Sequence, residues 1–88
     1  MRDNKFNFQI GYALSAQLNR IADEIRIQNR DIQQKYIDLN DTFKDDGYRQ
    51  FQEEFQNCDK SIEQISETLI ELSVVMNKYA SELERVAQ

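Results

Sequence analysis

From Tyr48 to Val86 the apolar residues recur in steps of three and four without a break: Tyr48, Phe51, Phe55, Cys58, Ile62, Ile65, Leu69, Leu72, Met76, Tyr79, Leu83 and Val86. Alternating steps of three and four average 3.5 residues, which holds one face of an α-helix toward a partner helix along its whole length. The spacing predicts a helix over about 48–86, roughly 58 Å long at a rise of about 1.5 Å per residue. Composition agrees. The chain has no proline, only Gly11 and Gly47 for glycine, and 31% charged residues, so it is rich in helix formers and poor in breakers.

The first half repeats the pattern more loosely, through Leu14, Leu18, Ile21, Ile25, Ile32, Tyr36 and Leu39, with Gln28 at the step that would complete the series. A first helix is expected over about 7–40 and a turn over 41–47, where Asn40, Asp41, Asp45, Asp46 and Gly47 cluster and the stripe changes phase. Thr42, Asp45 or Asp46 is expected to cap the second helix, with Asp45, Asp46, Glu53 and Glu54 supplying negative charge near its positive end.

So short a connection makes the helices antiparallel neighbours, and residues whose numbers sum to about 88–90 should lie level. Leu39 then meets Phe51, Ile25 meets Ile65, Leu18 lies near Leu72 and Ile10 near Tyr79. Residues 1–88 read as a single helical-hairpin domain, all-α, with the extreme termini expected to be disordered.

One seam between two helices does not use every apolar side chain. Ile27, Ile37, Ile70, Val74 and Val75 lie beside or off the main stripe, and the run from Leu69 to Met76 is broad enough to meet two neighbours. That breadth is the pattern of a helix inside a four-helix bundle, so the hairpin is expected to assemble as a dimer. Leu69, Ile70, Leu72, Val74, Val75 and Met76 are the expected association surface. The partner is a second copy, a related small helical protein or the helical domain of a larger effector. Gln28 is either a polar contact that specifies register or a residue at an edge where its amide reaches water.

The residues point away from catalysis. The chain has no histidine, and its carboxylates, Asp45 with Asp46, Glu53 with Glu54, and the Glu63, Glu67, Glu71 series, read as solvated helix faces. No glycine-rich phosphate loop, metal-ligand cluster or calcium-loop spacing is present, so no cofactor, metal or small-molecule substrate is expected. Cys58 is the sole cysteine and reads as a small buried hydrophobe.

The net charge of −5 is concentrated after Thr42, with ten acidic against five basic residues. Nucleic acid and anionic membrane surfaces are therefore poor partners. No apolar run approaches the roughly 18 residues needed to span a bilayer, and residues 1–10 lack the pattern of a cleavable signal peptide.

Taken together, the size, the two long helices and the central turn resemble the WXG small helical-hairpin family exported by bacterial type VII (ESX-like) secretion systems. The family places a Trp-x-Gly turn between its helices and an aromatic residue eight positions after the tryptophan. Here Phe43, Lys44 and Asp45 hold the turn position, with Gly47 close by, and Phe51 lies eight residues beyond Phe43. Phe43 replaces the tryptophan and Asp45 the glycine.

The family's export signal is a tyrosine followed four residues later by an acid. Tyr79 has Leu83 at that spacing and Glu82 one place early. Phe55 and Asp59 match in letters the Phe-x-x-x-Asp signature of LXG-effector companions. The resemblance implies a secreted or escort protein that starts in the bacterial cytoplasm, leaves without a cleavable signal peptide, reaches the medium or cell surface and works by helix-bundle association. The alternative is an intracellular coiled-coil adaptor or structural subunit unrelated to secretion.

Overall fold

The computed structural model describes residues 4–87 as two helices, α1 (Asn4–Asn40) and α2 (Asp46–Ala87), packed as an antiparallel hairpin measuring 64 × 17 × 17 Å. The expected disorder of the extreme termini concerns residues 1–3 and 88, which lie outside the described residues. No helix among the described residues is long and apolar enough to cross a membrane.

The reversal is tight. At the end of α1 the Thr42 and Phe43 amides donate to the Leu39 carbonyl at 2.9 and 3.0 Å, closing the last turn. Of the three candidate caps, Asp45 performs the role: its Oδ1 accepts the Tyr48 backbone N–H at 2.8 Å, and its carbonyl accepts the Arg49 amide at 3.1 Å. α2 therefore starts two residues earlier than the periodicity predicts. Gly47 lies in its first turn, and no described residue has a positive φ. The reversal uses a side-chain cap in place of a left-handed glycine.

The register is the expected one. Ser15 bonds to Ser73, Ser66 to Ala22, and Asn29 to Asp59, three pairs whose numbers each sum to 88. What lies between the helices differs from the expected seam. The buried positions are Phe8, Gly11, Ser15, Ala22 and Asn29 on α1 and Ser66, Ser73 and Ala80 on α2. Apart from Phe8 these are small or polar, and the largest fully buried side chains are two serines. Ser15, Ala22 and Asn29 are seven apart, as are Asp59, Ser66, Ser73 and Ala80, so small and polar residues return to the same line in each heptad.

Small side chains let the backbones approach closely. A Cβ added to Gly11 would stand 2.9 Å from the Ala80 Cβ and 3.4 Å from the Met76 sulfur. Ser15 Oγ donates across the seam to the Ser73 carbonyl at 2.7 Å, Ser66 Oγ to the Ala22 carbonyl at 3.3 Å, and Ser73 Oγ to the Ile70 carbonyl of its own helix at 2.7 Å, so all three buried serine hydroxyls are satisfied.

This seam splits the stripe on α2. Tyr48, Phe55, Ile62, Leu69, Met76 and Leu83 are half-buried against α1, while Phe51, Cys58, Ile65, Leu72, Tyr79 and Val86 are exposed along one flank. The expectation that Cys58 is buried is thereby corrected: it sits on the exposed flank, with a free thiol. The small-residue line, and not the bulky stripe, occupies the centre of the contact, which rotates every second member of the stripe outward.

Candidate association face

The two grooves between the helices differ in chemistry. One, of about 220 Å³, is lined by Ile25, Gln28, Asn29, Ile32, Ile62 and Ile65, which places the flank of α1 carrying Ile32 on the same side as the flank of α2 carrying Ile65. On the opposite side a groove of about 270 Å³ is bordered by Arg26, Arg30, Glu63 and Glu67, and a further groove by Tyr12, Asn19, Asn77 and Lys78. The hairpin thus has one apolar and one polar face.

Heptad geometry extends the apolar face along the rod. A seven-residue step returns to nearly the same side of a helix, so Leu14 and Ile21 line up with Gln28, and Leu72, Tyr79 and Val86 with Ile65. Each of these apolar side chains is exposed, from 37% for Ile21 to 72% for Val86. Ile10, Ile32, Leu39 and Phe51 add to the same side and are also exposed. These ten exposed large apolar side chains are more than the scattered apolar residues of an ordinary surface.

The six residues expected to form the association surface do not share one patch. Leu72 and Val75 lie on the apolar flank, 50% and 65% exposed. Leu69 and Met76 are half-buried at the seam, and Ile70 and Val74 lie toward the polar side, Val74 lining a groove with Asn77 and Lys78. A step of two residues turns a helix by about 200°, which separates Leu72 from both Ile70 and Val74. The contribution of α1, namely Leu14, Ile21 and Ile32, is absent from the expected surface. Its signal is the heptad spacing of those residues, together with the small-residue line beside them.

The turn end is an aromatic cluster. Phe55 stacks on Tyr36 with ring centroids 4.1 Å apart and planes 8° from parallel, and Phe51 lies 6.4 Å from Tyr36 and 5.6 Å from Tyr48. Phe43 reaches Tyr48 at 6.0 Å while remaining about half exposed. Of the predicted turn residues, Phe43 and Phe51 thus enter one aromatic ladder, Asp45 is the cap, and Gly47 serves within the helix. The Tyr48 hydroxyl is buried with no partner, and burial, followed by the charge of Tyr36, raises its pKa.

Phe55 and Asp59, matched to a companion signature by their letters, both face α1 within the hairpin. Asp59 Oδ1 accepts from Asn29 Nδ2 at 2.9 Å and from Gln33 Nε2 at 2.8 Å, forming the polar layer of the seam. Asn29 is buried and Gln28 exposed, so the register contact considered for Gln28 is made by its neighbour. Tyr79 and Glu82, the approximate export signal, are both exposed on α2. At the open end the Tyr12 hydroxyl donates to Glu84 at 2.9 Å, and this bond raises the phenol's pKa.

Among the described residues no group of three or more His, Cys, Asp or Glu side chains is placed to hold a metal ion. The chain matches no family model, and no curated protein or solved structure is similar enough to it to count as a match.

Proposed function

We propose that this chain is a small type VII (ESX-like) secreted or escort protein that acts by helix-bundle association, with itself or with the helical domain of an effector. The observation that carries the association is the uncovered apolar face running from Ile10 to Leu39 on α1 and from Phe51 to Val86 on α2. An extended amphipathic hairpin with one face unpaired is half of a four-helix bundle. Secretion is supported by the hairpin of this size, the aromatic turn at Phe43 and the second aromatic at Phe51. No chemistry is asked of the protein, and its work is recognition.

Two substitutions test the face. Leu72→Asp places a charge where a partner helix would bury it and should abolish association, while Val74→Asp, toward the polar side, should leave it intact. Light scattering reads both. Unchanged assembly of the Leu72 variant, or a single-copy mass for the unmutated chain and for its mixture with the neighbouring gene's product, overturns the association. Fractionation of a culture with an active type VII system tests the export: protein confined to the cells favours the intracellular adaptor.

A further inference from the structure

We draw no further inference here: the strongest candidate, the polar-side groove of about 270 Å³ bordered by Arg26, Arg30, Glu63 and Glu67 next to Asn29, whose buried Oδ1 lacks a partner, carries none because nothing in the structure shows what covers it.

Discussion

Single atoms decide how close the two helices come. Gly11 is in the seam because a methyl group there would press on the Ala80 Cβ at 2.9 Å. Gly47 sits in the first turn of α2 with open space around it: the nearest atom to an added Cβ is an Asp45 oxygen at 3.6 Å, an ordinary contact. The same substitution type should therefore have opposite effects at the two sites. Gly47→Ala should raise stability by about 0.5–1 kcal/mol through helix propensity, whereas Gly11→Ala should lower it by about 1–3 kcal/mol by forcing the helices apart. Urea unfolding followed by circular dichroism measures both, and equal effects at the two glycines would contradict the seam described here. The sequence marks both glycines but gives no sign of this difference, which depends on what stands opposite each one.

Along the elements, the polar layer fixes how α1 and α2 align. Asp59 holds the buried Asn29 amide, whose Oδ1 has no partner. Asp59→Ala should cost about 1–3 kcal/mol because the Asn29 Nδ2 is then also left unpaired. The pair Asn29→Leu with Asp59→Leu should be less destabilised than the sum of its single changes, a coupling that a double-mutant cycle reads directly. The hairpin, its short turn and its register were legible from the 3.5-residue stripe and the turn residues between Asn40 and Gly47, because large apolar side chains carry a strong periodic signal. The seam was not. Ser66, Ser73 and Ala80 also repeat every seven residues, but serine and alanine contribute little to hydrophobic periodicity, so the pattern points to their bulky neighbours as the contact. Their displacement to the flank is why Leu14, Ile21 and Ile32 belong to the exposed face and why Cys58 is exposed.

For the whole molecule, the inner contact of the hairpin is satisfied by small side chains, and many of its bulky ones remain exposed on one face. Under the proposed association the two tasks of the sequence are separate, the seam holding the chain together and the face meeting the partner. The rod shape, 64 Å long and 17 Å across, also has a hydrodynamic consequence. A slender single copy meets more friction from solvent than a sphere of its 10.5 kDa mass would, so it should travel through a sizing column ahead of compact proteins of equal weight. A second copy laid along its face thickens the rod without lengthening it, and the pair should show a lower frictional ratio in sedimentation velocity than the single copy. Joining end to end would raise that ratio, so the direction of this one change distinguishes a pair formed along the face from one formed at the ends.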